Sequence, residues 1–99
     1  MTDRSINLDR VTIDGELLHR RSATLRFGSG GGKATTGWSV HVLGRTAPLT
    51  LAAGEAPRFL EATTAAGRQL HAQVRIVDRG DDEWGTRLVL VGIGPVHGL

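Results

Sequence analysis

The chain has no cysteine, so it forms no disulfide, offers no thiol nucleophile and cannot build a zinc ribbon or a CxxC redox pair. Its stability must come from a hydrophobic core alone. Aromatic residues are also scarce: Trp38, Trp84, Phe27 and Phe59 are the whole set, and tyrosine is missing. A groove for single-stranded nucleic acid sets several aromatic platforms beside basic side chains, and Asp81, Asp82 and Glu83 next to Trp84 would repel phosphates, so nucleic acid is not an expected partner. Long apolar runs are lacking as well. The longest aliphatic stretch is 88–91, whereas a membrane-spanning helix needs roughly 20 apolar residues. The opening residues MTDRSINLDR carry early carboxylates and no apolar stretch of the secretory kind. A cytoplasmic location and no membrane are the expectation.

Lysine is reduced to Lys33, and this explains a sequence pI near 10.4. With arginine titrating above 12 and no tyrosine or cysteine to lose protons, a net charge of +2 is enough to carry the pI that high. The charges are evenly spread: six basic and four acidic groups in residues 1–33, two and two in 34–66, four and four in 67–99. No basic arm is present to hold a polyanion.

What remains is a 99-residue chain with 39% hydrophobic residues and 14 glycines, near the apolar share of an ordinary globular domain. It is long enough for one core and too short for two, so residues 1–99 are read as a single domain. Glycines and prolines punctuate segments rich in Val, Ile, Leu and Thr that alternate with period two, the signature of half-buried strands. The clearest is 68–78, where Leu70, Ala72, Val74 and Ile76 face one way and Gln69, His71, Gln73 and Arg75 the other. A polar loop over 79–85 leads to 86–91, whose run of Leu88, Val89, Leu90 and Val91 reads as a strand covered on both faces. The two pair as a hairpin.

Near the start, Asp14 and Gly15 are the residue types of a type I′ turn and join a second hairpin. Its apolar residues change phase, from Ile6 and Leu8 to Val11 and Ile13, and Leu17, Ala23, Leu25 and Phe27 sit opposite to Leu18. Bulges near Asp9 and Arg10 and near Arg20 and Arg21 account for both switches. Trp38, Val40 and Val42 mark another strand, and 49–51 a short one after Pro48. Residues 58–64 are open to a strand or one or two helical turns; the β-branched Thr63 and Thr64 favour the strand. The fold class is thus all-β, a small antiparallel β-barrel or β-sandwich of about seven strands with at most one short helix. Ile6, Leu8, Leu25, Phe27, Trp38, Val40, Val42, Leu70, Val74, Ile76, Leu88 and Leu90 form the expected core. The glycine-rich 28–37 stretch is read as a flexible hairpin tip, and 92–99 as an extended tail that either lies across a neighbouring chain or closes its own barrel.

No catalytic, cofactor or metal constellation meets its spacing. Around Gly32 and Lys33 a phosphate-binding P-loop would need glycine at Phe27 and a hydroxyl at Ala34, and a helix where the Trp38 strand begins. The histidines at 19, 41, 71 and 97 are too far apart in sequence to make a local metal pair, and none of the four serines sits in a nucleophile elbow. His41 or His71 could act singly as a base, but nothing in the sequence supplies its partners. The adjacent Arg20 and Arg21, with Arg26 beyond, resemble the arginine pair that a PilZ-type cyclic-dinucleotide receptor carries ahead of its β-barrel. That family continues with an Asp/Asn-x-Ser-x-x-Gly segment, which Arg26-Phe27-Gly28-Ser29-Gly30 does not reproduce. What the resemblance implies is a phosphate ligand for Arg20, Arg21 and Arg26, with Lys33 in the neighbouring loop.

Two-sided apolar strands point elsewhere. Val89, Val91 and Ile93 exceed what one core can use, and Trp84 stands in a polar loop. Such surface is normally covered by another chain. The expected function is a non-enzymatic protein-binding or assembly module that self-associates through Trp84, Val89, Val91 and Ile93; the alternative is a small-ligand or phosphate-binding barrel using Arg20, Arg21, Arg26 and Lys33.

Overall fold

Alternation converts directly into strands. The computed structural model describes residues 4–18, 20–27, 37–44 and 51–98, and these form seven antiparallel strands: β1 (Arg4–Ile13), β2 (Glu16–Leu17), β3 (Arg20–Phe27), β4 (Trp38–Gly44), β5 (Arg58–Thr64), β6 (Gln69–Asp82) and β7 (Gly85–His97). There is no helix among the described residues, hence none long and apolar enough to cross a membrane. Neighbours run β1, β3, β4, β7, β6, β5, and β5 pairs back to β1, which closes a six-stranded barrel with β2 as one extra strand on β1. Closure removes most of the unpaired edge that an open sheet would show to other chains.

Two bulges bend the strands so that they can close. In β1 the register slips between Leu8 and Arg10, so Leu8, Val11 and Ile13 all enter the core while Asp9 and Arg10 both stay in solvent. In β3 it slips between Arg20 and Ser22 against β4. Both lie where the apolar phase switches demand them. The β1–β2 turn has φ of 52° at Asp14 and 84° at Gly15, the positive values that a type I′ turn requires.

The barrel is filled from every wall by Val11, Ile13, Leu25, Val40, Leu60, Val74, Ile76, Leu88 and Leu90, each essentially inaccessible. Each contributes about 1.5–3 kcal/mol relative to an exposed side chain. Phe27 and Trp38, paired across β3 and β4, are also buried. Of the expected core only Ile6 falls short, packing against the cluster half-covered.

The structure decides the open expectations and revises others. Residues 58–64 are the strand β5. The segment 79–85 is not a loop: β6 runs to Asp82 and β7 starts at Gly85, leaving only Glu83 and Trp84 as the turn. The strand extends because Arg79 to Asp82 continue the antiparallel pairing with β7, and Arg79, with 10% of its side chain exposed, bonds the Leu51 carbonyl. Residues 49 and 50 lie outside the described residues; Leu51 is in a bend, not a strand, and is buried in the core. The 88–91 run is not covered on both faces: Leu88 and Leu90 fill the barrel, whereas Val89 and Val91 are half-buried on its outside. The segment 92–97 belongs to β7 and pairs with β6 of its own barrel, with Val96 buried.

Candidate functional site

An apolar core occupies the barrel interior, and the exposed apolar residues lie on the outer surface. Residues of β7 that face outward are Arg87, Val89, Val91 and Ile93, because Leu88 and Leu90 face in. Cross-strand register surrounds them. Val91 lies between Ser39 and Arg75, Val89 between His41 and Asp78, Ile93 beside Gln73, and Arg87 opposite Leu43. A slip between Ile76 and Asp78 turns Val77 outward next to Val89. Farther along the same face Phe59 of β5 stands opposite Gln73. Of the six large hydrophobic residues exposed among the described residues, Leu43, Phe59, Val77 and Ile93 lie on this face. Only Leu17 and Trp84 lie elsewhere. The result is an apolar band along β7, flanked by Arg75, Arg87 and Asp78.

One end of the band is built by Trp38. Its indole packs against Gly92, where a methyl group would clash with Cε2, Nε1 and Cζ2, and its Nε1 donates to the Gly94 carbonyl at 2.8 Å. Gly94, with φ of 79°, and Pro95 form a bulge: Ile93 and His97 are four positions apart on β7, while their partners Gln73 and His71 are two positions apart on β6. That bulge sets His97 directly opposite His71. Their rings stack at 5.0 Å between centroids with an interplanar angle of 17°, and Phe59 stands 6.2 Å from His71. Phe59 is held from behind by the β1–β2 turn. Asp14 donates its N–H to the Phe59 carbonyl and accepts the Phe59 N–H through Oδ1 at 2.9 Å, while Oδ2 takes Arg58 Nη1 at 3.0 Å. Phe59, His71, Gln73, Ile93, Pro95 and His97 line an open depression of about 300 Å³. A second depression continues past His71 over Glu61, Thr12 and Arg10.

The opposite end of the β6–β7 ribbon is polar. Arg79 forks onto Asp81 at 2.9 and 3.1 Å, and Thr86 donates its hydroxyl to the same carboxylate at 2.7 Å. The Arg79 hydrogen bonds, then the Thr86 hydroxyl, hold the Asp81 carboxyl below its usual range. Trp84 projects from the turn with 66% of its surface exposed, its N–H bonded to Asp82.

Val89, Val91 and Ile93 therefore share one band, and Trp84 stands apart, five residues or roughly 16 Å along the strand from Val89. Arg26 is exposed on the outside of β3, opposite Ser5 and Ser39. Arg20 and Arg21 lie at the β3 bulge; their side chains, like Lys33 and the rest of 28–36, fall outside the described residues. Ser39 and His41, two apart on β4, approach at 3.3 Å. The residues paired with them are Arg26, Val91, Thr24 and Val89, so no carboxylate flanks the imidazole to orient it as a base. No three His, Asp or Glu residues among those described are placed to hold one metal ion. The His71–His97 pair was not visible in the sequence, since it depends on the bulge at 94–95. The chain matches no family model, no curated protein and no solved structure.

Proposed function

We propose that this protein is a non-enzymatic assembly module that binds a second copy of itself through the outer face of β4, β7 and β6. The carrying observation is the apolar band of Leu43, Val77, Val89, Val91 and Ile93, built by neighbouring positions of three strands. Scattered exposed apolar residues are ordinary on any protein; a contiguous set rimmed by polar groups marks a contact surface. The rim favours a like partner. Arg75 and Arg87 carry one sign and Asp78 the other, and in a two-fold contact a patch meets itself, so a rim of a single charge would be self-repelling. With the barrel closed, contact is made by a face of the sheet rather than by adding a strand to an edge.

Sedimentation velocity over a range of concentrations tests this with the wild-type chain and with Val91→Glu. A charge placed in the centre of a buried apolar contact is left without a partner and costs several kcal/mol. The wild type is expected to dimerise at high as well as low salt, and Val91→Glu to remain folded and monomeric. A wild type that is monomeric at every concentration overturns the reading.

A further inference from the structure

We propose that His71 and His97 form half of a divalent-metal site, completed by the same two residues of a second copy, so that a zinc-class ion bridges two chains at one end of the apolar band. The proposal rests on self-association through that band and adds a metal to it. The two histidines are direct cross-strand partners on β6 and β7, and their rings stack 5.0 Å apart. Two nitrogens bound to one tetrahedral ion at 2.0–2.1 Å stand roughly 3.3 Å apart. Cross-strand partners whose exposed rings lie this close can both reach one ion by turning about their side-chain bonds. Both side chains are exposed, and among the described residues neither makes a hydrogen bond or an ion pair. Their nitrogens are thus available.

The surroundings suit a metal-bound imidazole. Glu61 on β5 is the register partner of His71 on the side away from His97, where a carboxylate can accept the N–H that a ligating imidazole leaves over. Arg10 of β1 lies across the same depression and opposes a cation, but it is farther along the sheet, opposite Thr63. Phe59, Ile93 and Pro95 border the pair on its other sides.

Incompleteness is what brings in the second chain. Two histidines leave half of a tetrahedral shell open, and no third ligand stands within the chain among the described residues. A two-fold axis running along the seam between β6 and β7 sets the apolar band and the histidine pair each against its copy, and so supplies four imidazoles to one ion.

The test strips the full chain with a chelator and titrates it with zinc chloride, following mass by light scattering and binding by calorimetry. One zinc per two chains is expected, with at least a tenfold tighter dimer than in chelator. His71→Asn and His97→Asn, both surface changes, should each remove the zinc response while leaving the mass in chelator as in wild type. Zinc bound one per chain without a change of mass overturns the proposal, as does no binding. Self-association is read separately in chelator: a dimer there that ignores zinc keeps the apolar contact and discards the metal, whereas a monomer there that zinc pairs keeps the metal and discards the apolar contact as sufficient.

Discussion

The two ends of the β6–β7 ribbon each carry a tryptophan, and the two do opposite work. Trp38 at one end is 2% exposed and Trp84 at the other 66%, so one large ring fixes the fold and the other leaves it almost untouched. Trp38 spends its one donor on Gly94 and packs its ring against Gly92. Through the bulge it holds, it decides where His97 stands. Trp84 sits on a tip fixed instead by a charge-assisted network of Arg79, Asp81 and Thr86. An apolar clamp thus builds one end and a polar clamp the other, and they should fail under different conditions.

The sharpest way to separate them is at the apolar clamp. Trp38→Ala opens a large void and should cost about 3–5 kcal/mol, a large share of the stability of a chain this size. Gly92→Ala drives a methyl into the indole and should cost about 1–3 kcal/mol. Part of that loss should return in a Trp38→Leu background, because residues in contact are not additive. Thermal and denaturant unfolding of Trp38→Ala, Gly92→Ala, Trp38→Leu and the Gly92→Ala/Trp38→Leu pair checks this, and equal costs for Gly92→Ala in both backgrounds would show that the ring is not what fills the space.

The polar clamp should respond to acid. Asp81 has a lowered carboxyl pKa in the fold, so its contribution is complete above the unfolded value, near 3.8, and is lost as pH falls below it towards the folded value. Stability measured from pH 6 to pH 2 should therefore fall less steeply at its acid end in Asp81→Asn than in wild type. Identical slopes would mean that the network makes no net contribution. Arg79→Ala goes further at neutral pH, since it leaves the Leu51 carbonyl without the donor seen here; a loss of about 1–3 kcal/mol is expected. Smallest of all is Trp84→Ala. With most of its ring in water, it should change stability by less than about 0.5 kcal/mol and leave the mass in solution unaltered. A shift in mass would move the contact surface from the band to the tip.

The same contrast explains what could be read before the fold was seen. Period-two alternation placed Leu70, Ala72, Val74 and Ile76 in the core, and phase switches located both bulges, because burial on one face dictates side-chain direction residue by residue. Polar structure left no such trace. The last residues of β6 read as a loop because they are polar, so no apolar alternation marks their pairing with β7 or the reach of Arg79 to Leu51, 28 positions away. Leu60 and Ala62 were missed because Pro57 and the short apolar spacing fit a helical turn as well as a strand. The site was half legible: Val89, Val91 and Ile93 stood out as surplus apolar residues, whereas the meeting of His71 and His97 is set by a two-residue irregularity in pairing that no local pattern encodes.

Residue-resolved spectra recorded over a dilution series test the central claim most directly, because they report where chains touch as well as whether they do. Self-association through the band gives concentration-dependent shifts at Leu43, Val77, Val89, Val91 and Ile93, with the Trp84 indole unchanged. Spectra that do not depend on concentration, or shifts centred on Trp84, would contradict it.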